Sequence, residues 1–474
     1  MNVLLVYPPD IHMITTEIPQ DINKNRGYLP PLGLLSIASY LKKYTNHTVQ
    51  VVDAQVERMS YKKLLDVIHF IKPDIVGIYA STFSFIDGIQ TASGIRKILP
   101  NTHIVLGGPH VTLYPKETLS FSFIDYVVIG EGEQVFCELV EAIGAHEEIG
   151  KISGIGYKRN GSIYVSQDTA IIENLDELPI PDRTMTPYKK YYSILSHHYP
   201  VTTIMTSRGC PYGCIFCHEA GIKFRTMSPQ RVIAEIKDCL ALNIREIFFH
   251  DDTFTVVRQR VIDICQEIIR SNLKFDWDVR GRVNTVDREL LILMKKAGCT
   301  RISFGVESGS QEVLDRLKKG ITLDQIKAAF KHTREAGITS LADFMIGSPG
   351  EGEHEISLSF ALMKEINPDF VHFSITTPYP GTRLYNDSLK HNHIKKDMWK
   401  DFAEHPDEKF VPALCSEVFN REELMNWVTK AYAIHYLNPH TIMRAVMRLR
   451  SFKEFKDKTT ALFNIIKARK KKYQ

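Results

Sequence analysis

The sequence predicts an α/β protein: an open parallel sheet, then a partial (β/α)6 barrel, then a helical C-terminal region. Three observations carry that expectation. Short apolar runs alternate with amphipathic stretches along most of the 474 residues. The alternation is interrupted between about 146 and 198 by a hairpin pattern and a proline-rich stretch. Beyond about 411 strand signals stop and basic residues accumulate. With 44% hydrophobic and 24% charged residues, disorder is excluded as the main state.

The elements follow in order. Val3–Tyr7 is an apolar run that stops at Pro8-Pro9, and Leu32–Lys43 has helical spacing behind Pro30-Pro31. Thr48–Val52 alternates into Asp53, and Tyr61–Ile71 is amphipathic. Ile75–Ala80 is continuously apolar, as a strand buried on both faces would be. A helix near Phe85–Leu99, strands at His103–Leu106 and Tyr126–Ile129, and a helix over Gln134–Ile143 complete five βα units. Residues 1–145 therefore predict a Rossmann-like (flavodoxin-like) domain, whose ligand lies beyond the strand carboxyl ends. Three such ends carry unusual loops: Ser81-Thr82-Phe83-Ser84, Gly107-Gly108-Pro109-His110 and Gly130-Glu131-Gly132-Glu133. Paired glycines let backbone approach a ligand closely. Ser81, Thr82, Gly107, Gly108, His110, Gly130 and Glu131 are the candidate contacts.

Residues 146–198 form a connector, with a hairpin over Ile152–Tyr157 and Ser162–Val165 around Asn160-Gly161. The βα alternation resumes over 199–410. Strands are expected at Val201–Thr206, Glu246–His250, Phe275–Arg280, Arg301–Val306, Ala342–Ile346 and Phe370–Ile375. Helices are expected at Pro229–Leu242, Val257–Ile269, Arg288–Lys296, Leu323–Ala336 and Glu353–Ile366. Six units predict a partial, TIM-like barrel whose active residues gather at the strand C-termini. Residues 411–474 are expected to be helical and basic.

Five of the eight cysteines are scattered singly, whereas Cys210, Cys214 and Cys217 follow the first barrel strand with the spacing C-x-x-x-C-x-x-C. Thiolates suit zinc or an iron–sulfur cluster. A structural zinc site closes with four ligands, and His218 is the available fourth. A cubane held by three cysteines leaves one iron open to an outside ligand.

The stretch Ser207–His218 resembles the radical S-adenosylmethionine (SAM) superfamily. That resemblance implies that Cys210, Cys214 and Cys217 hold a [4Fe–4S] cluster whose fourth iron chelates SAM, with Phe216 against the adenine. Later stretches are similar in order after successive strands: Phe249–Phe254, Arg280-Gly281-Arg282, Phe304–Ser310 and Phe344–Glu351. They imply backbone carbonyls after the second strand, with Asp252 as a further candidate, for the SAM amino group, Arg282 for the carboxylate, Glu307 and Ser308 for the ribose and methionyl end, and Gly347 at the adenine. The second stretch lacks the family's usual pair of glycines.

Read with the barrel, residues 1–145 resemble the cobalamin-binding domain of B12-dependent radical SAM enzymes. Asp10-Ile11-His12 begins like the cobalt-ligating D-x-H-x-x-G motif but lacks its glycine. The resemblance implies reductive cleavage of SAM to a 5′-deoxyadenosyl radical, an external electron donor of the flavodoxin or ferredoxin type, and C-methylation of a metabolite or natural product. A cobalamin-dependent oxidative cyclase or ring rearrangement is the alternative. A tRNA methylthiotransferase would need three more cysteines upstream, where only Cys137 exists. The substrate is expected to be a small or lipid-like molecule, with Tyr379 and Cys415 as candidate catalytic residues.

The formal net charge of +4 is uneven: Thr441–Gln474 holds eleven Lys/Arg against Glu454 and Asp457. This tail is a candidate for peripheral contact with an anionic membrane surface. The chemistry requires no nucleic acid. No apolar run approaches a membrane span of roughly 20 residues. The N-terminus reads as a strand rather than a signal peptide, so a cytoplasmic protein with reduced thiols is expected.

Overall fold

A computed structural model describes residues 1–14, 27–169 and 171–447. The expected basic tail lies outside the described residues from 448 onward. The chain forms two compact units, each an α/β arrangement of parallel strands and helices. The first takes Met1–Ile14, Tyr28–Tyr191 and Asp397–Val411; the second is built on Tyr192–Lys396 and the chain from Pro412.

In the first unit, β1 (Asn2–Tyr7), β2 (Thr48–Asp53), β3 (Ile75–Tyr79), β4 (His103–Gly107) and β5 (Tyr126–Val128) lie parallel in the order 2-1-3-4-5. The hairpin of β6 (Ile155–Arg159) and β7 (Ser162–Val165) extends the same sheet antiparallel. Its strong sequence signal did not reveal that docking, because pairing depends on β5 being the free edge. Helices α1 (Leu32–Tyr44) and α2 (Tyr61–Ile71) follow β1 and β2; α3 (Phe85–Ile98) follows β3. Two short helices, α4 (Pro109–Leu113) and α5 (Pro115–Ser120), each begin on a proline and fill the β4–β5 crossover. The last crossover helix is α6 (Gly132–Ala145). Leu34, Leu35, Phe136 and Leu139 from α1 and α6 pack with Val3, Leu5 and Val105 of the sheet. Strands apolar on both faces explain this: Ile75 to Ile78 are buried in succession.

The second unit holds a six-stranded parallel sheet in chain order: β8 (Val201–Ile204), β9 (Glu246–Phe249), β10 (Asp276–Gly281), β11 (Cys299–Glu307), β12 (Thr339–Ile346) and β13 (Phe370–Ile375). The crossover helices are α7 (Pro229–Ala241), α8 (Arg258–Arg270), α9 (Arg288–Lys296), α10 (Gln311–Arg316), α11 (Leu323–Glu335) and α12 (Glu353–Ile366). Their starts are set locally. Ser228 and Asp287 accept the backbone N–H of Arg231 and Leu290, and Thr322 forms a capping box with Gln325. Trp277 is fully buried against Phe249 and donates its indole N–H to the Ala297 carbonyl at 2.8 Å.

Helix α13 (Arg383–Lys390) follows β13. Helix α14 (Met398–Glu404) then returns to the first unit, where Phe402 meets Phe85 and His110 and Trp399 is fully buried. Residues 397–410, expected with the barrel, thus cluster elsewhere; four aromatic rings, not strand periodicity, decide it. Helix α15 (Arg421–Tyr436) lies along β13, the last strand of its sheet. There the Tyr432 and Tyr436 hydroxyls accept the N–H groups of Phe373 and Val371, both at 3.2 Å. A one-turn spacing matches two residues of strand, so the hydroxyls satisfy an edge that would otherwise recruit another strand. Helix α16 (Pro439–Met447) ends the described chain.

Candidate active site

The cysteine loop leaves the C-terminal end of β8. Ser207–Arg208 pairs antiparallel with Arg225–Thr226 and closes the loop at its base. Gly209 has φ +77°, and a Cβ there would stand 2.5 Å from the Lys223 carbonyl oxygen. Only glycine makes that turn without strain. Asp251, fully buried just past β9, accepts from the Thr206 N–H, the Thr206 hydroxyl and the Ser207 hydroxyl, each at 2.6 Å. Arg260 donates to the Thr206 and Met227 carbonyls at 2.9 and 3.1 Å. Burial pushes the Asp251 carboxyl up, against the pull of Arg260 and those hydrogen bonds. Neither residue was identified from sequence, since their partners are distant in the chain.

Cys210 and Cys214 are buried and Cys217 is half-buried. Among the described residues the three sulfurs do not converge within the 4.8 Å that gathers ligands around one ion. That spread fits a multi-iron cluster better than a single zinc, and His218 is exposed beside Glu219 instead of joining the thiols. Burial raises the Cys217 thiol to about 11. Arg282 donates from Nη1 to Cys214 Sγ at 3.7 Å, and its guanidinium lies 4.0 Å from the Tyr212 ring centre. The Thr253 hydroxyl is 4.0 Å from Cys210 Sγ. Thiols edged by a fixed cation and a hydroxyl suit an anionic iron–sulfur group, whose potential responds to such donors.

The other expected SAM contacts divide. Asp252 follows Asp251 on the strand end, and burial, then the Glu219 charge, raises its pKa to about 6. Glu307 closes β11 at φ +66°, a costly conformation outside glycine, and pairs with Lys319 at 2.6 Å. Lys319 is itself buried, 5.6 Å from the ring centre of Phe216. Sequence gave no sign of it. Ser308 is fully buried, accepts the Ser310 N–H and meets the Ser359 hydroxyl at 3.3 Å. Its hydroxyl therefore shapes the turn. Gly309 beside it allows α12 to pack, since a Cβ would stand 2.3 Å from the Leu358 carbonyl oxygen.

Gly347 ends β12 at φ +86° and donates its N–H to Glu351 at 2.6 Å. Glu351 also accepts from Ser348 at 3.0 Å, while its other carboxyl oxygen is buried without a partner. Burial raises this carboxyl to about 7. Cys415 donates its thiol to the Gly347 and Thr376 carbonyls at 3.4 and 3.3 Å. Tyr379 lies half-buried after β13, where its carbonyl accepts from Thr382.

In the first unit, the ends of β3, β4 and β5 carry the expected loops. Ser81 and Ser84 bond each other's backbone and hydroxyls. Gly108 has φ +123°, and a Cβ would stand 2.6 Å from the Ala80 carbonyl oxygen. The β3 and β4 loops touch there because no side chain intervenes. Gly130, at φ +83°, donates to Thr112 at 3.0 Å, and Glu131 accepts the Ile172 N–H at 2.8 Å. This glycine-built, half-buried edge leaves backbone close to the surface, as a corrinoid needs.

His110, a candidate contact, lies inside its loop. It is fully buried between Phe85, Tyr114 and Phe402, bonds Thr82 at 3.3 Å, and burial lowers its pKa to about 3. Packing holds the ring, while its Nε2 is buried without a partner. His12 is held by acids: its N–H donates to Asp87 at 3.1 Å, and Nε2 lies 3.2 Å from Glu408.

The radical SAM superfamily model matches residues 204–363, and the B12 binding domain model matches residues 21–140. A Pyrococcus horikoshii protein described as an uncharacterized methyltransferase is 35% identical over 457 residues, spanning 95% of this chain and 96% of its own. The anaerobic magnesium-protoporphyrin IX monomethyl ester cyclase of Rubrivivax gelatinosus is 29% identical over 449 residues, spanning 92% of this chain and 78% of its own. Among solved structures, the radical SAM methyltransferase TsrM from Kitasatospora setae, with cobalamin and a [4Fe–4S] cluster bound, superposes with a TM-score of 0.76 over 99% of both chains. At 18% identity that likeness speaks for the fold. The family's cofactors are a [4Fe–4S] cluster, SAM and cobalamin. On these matches and the geometry of the cysteine loop, the chain belongs to the radical SAM superfamily, in the cobalamin-dependent group that carries a B12-binding domain.

Proposed function

We propose that the protein methylates an unactivated carbon of a small or lipid-like molecule. The observation that carries this reading is the joint presence, in one chain, of the closed three-cysteine loop and a second parallel sheet with glycine-built loops at its strand ends. Together, the bound cluster, SAM and cobalamin supply radical generation and methyl transfer, which no side chain provides. Cys210, Cys214 and Cys217 hold the cluster. Arg282 donates toward Cys214 and keeps positive charge at the anionic group. Phe216 and Gly347 border the adenine, while Glu307 and Asp252 accept from the ribose and amino group. Lys319 donates to Glu307 at 2.6 Å and fixes its carboxyl. Ser81, Thr82, Gly107, Gly108, Gly130 and Glu131 line the corrinoid side. Tyr379 and Cys415 face the substrate.

The functional division is then residues 1–145 for cobalamin, with the 155–165 hairpin and residues 397–411 clustering with them, and 199–396 as a partial (β/α)6 barrel. An external flavodoxin- or ferredoxin-type donor supplies the electron, in a cytoplasmic setting that keeps the thiols reduced. The basic tail contacts an anionic membrane surface. Among the described residues no helix is long and apolar enough to cross a membrane.

The test is anaerobic reconstitution followed by mass analysis of products. A product heavier by one methylene, with 5′-deoxyadenosine, is expected. A product that gains oxygen and loses hydrogen supports the cyclase reading, which the Rubrivivax relative favours. Deoxyadenosine without any methylated product, given the true substrate, overturns the methyltransferase reading.

A further inference from the structure

The N-terminal end of the six-stranded sheet, opposite the cysteine loop, carries a second group of metal-ligating side chains. Glu246 opens β9 and Asp276 opens β10, and the two are partners in the parallel register. Neighbouring carboxylates repel, and Glu246 is only 2% exposed. Burial raises its pKa, and the Asp276 charge adds to the rise. The chain arriving at β8 lays two imidazoles against this pair. His197 Nδ1 is 3.2 Å, and His198 Nε2 3.5 Å, from the same Asp276 oxygen. The backbone N–H groups of both histidines donate to Glu246 at 3.0 and 3.1 Å, which fixes its carboxyl. Ligand atoms of His197, Glu246 and Asp276 all lie within 4.8 Å of one another. Nearby, Arg301 is committed to Asp278 and the Leu195 carbonyl.

Bonds of about 2.0–2.2 Å to a tetrahedral ion put its ligand atoms roughly 3.3–3.5 Å apart. The His198–Asp276 distance of 3.5 Å has that value already, and the His197–Asp276 distance of 3.2 Å falls just short of it. Two imidazoles with two carboxylates favour zinc-like ions over magnesium or calcium, which prefer oxygen alone. The exposed His198 side chain leaves an entry path. We propose that His197, Glu246 and Asp276, with the exposed His198 swinging in as a fourth ligand, bind a divalent cation of the zinc class, which staples the chain entering β8 to the starts of β9 and β10. The site is structural and separate from the SAM chemistry.

The test measures zinc, iron and cobalt in the fully reconstituted protein after equilibration with zinc and a weak chelator. About one zinc per chain is expected in the wild type. His197→Gln and Asp276→Asn should lose it while iron and cobalt stay. Zinc should also raise the wild-type Tm and leave that of both variants unmoved. Zinc that is absent from the wild type, or equally present in both variants, overturns the proposal. So does zinc that is lost only when Cys210, Cys214 and Cys217 are replaced. If the variants do not fold, anomalous diffraction at the zinc edge from wild-type crystals decides: a peak between the four side chains supports the site, and none refutes it.

Discussion

Gly108 illustrates how a single residue shapes the strand-end loops of the first unit. Its φ of +123° and the Ala80 carbonyl leave no room for a side chain. Gly108→Ala should therefore cost about 2–4 kcal/mol, seen as a lowered denaturant midpoint, and should weaken cobalamin retention. His110 gives the opposite test. Since it sits in a box of aromatic rings, His110→Phe should leave cobalamin retention unchanged; a loss would return it to the ligand set. Sequence revealed the cysteines and the glycines because their chemistry is local to a motif. It could not reveal Asp251, Arg260, Tyr212 or Lys319, whose roles depend on partners brought in by other strands. It likewise could not show that Ser308 and His110 face inward.

At the scale of elements, the strands fell close to their expected positions because apolar runs on a doubly covered parallel sheet have a strong, short signature. What escaped were short helices, such as Pro109–Leu113 and Met398–Glu404, which are too brief for helical periodicity to register. Two element-level consequences can be measured. Replacing Tyr432 and Tyr436 by Phe should leave two β13 N–H groups without partners, at about 1–3 kcal/mol each, in a thermal or denaturant melt. The turn after β12 should show a pH dependence through Glu351. Its pKa of about 7 in the folded chain exceeds the ordinary 4.5, so the folded state holds the extra proton between those values. Stability from this group is full below pH 4.5 and falls as pH rises through 7, by up to about 3 kcal/mol. Glu351→Gln should flatten that part of the profile; an unchanged slope would show that another group is responsible.

For the molecule as a whole, the pattern of alternation announced two α/β bodies, but not that the chain returns to the first at Asp397–Val411. Nothing in local sequence distinguishes a helix that covers its own barrel from one that goes back to an earlier partner. Deleting residues from 448 onward should leave SAM cleavage and cofactor retention intact, with loss of either marking the tail as part of the catalytic body. The return of Trp399 and Phe402 also bears on synthesis. Both rings emerge from the ribosome only after all six strands of the second sheet have been made. At about 5–20 residues per second, the nascent first unit waits about 10–40 s with Phe85 and His110 uncovered. An order of assembly is thereby written into the chain: the earlier-made body is completed last, and its unfinished face is where a chaperone would be needed.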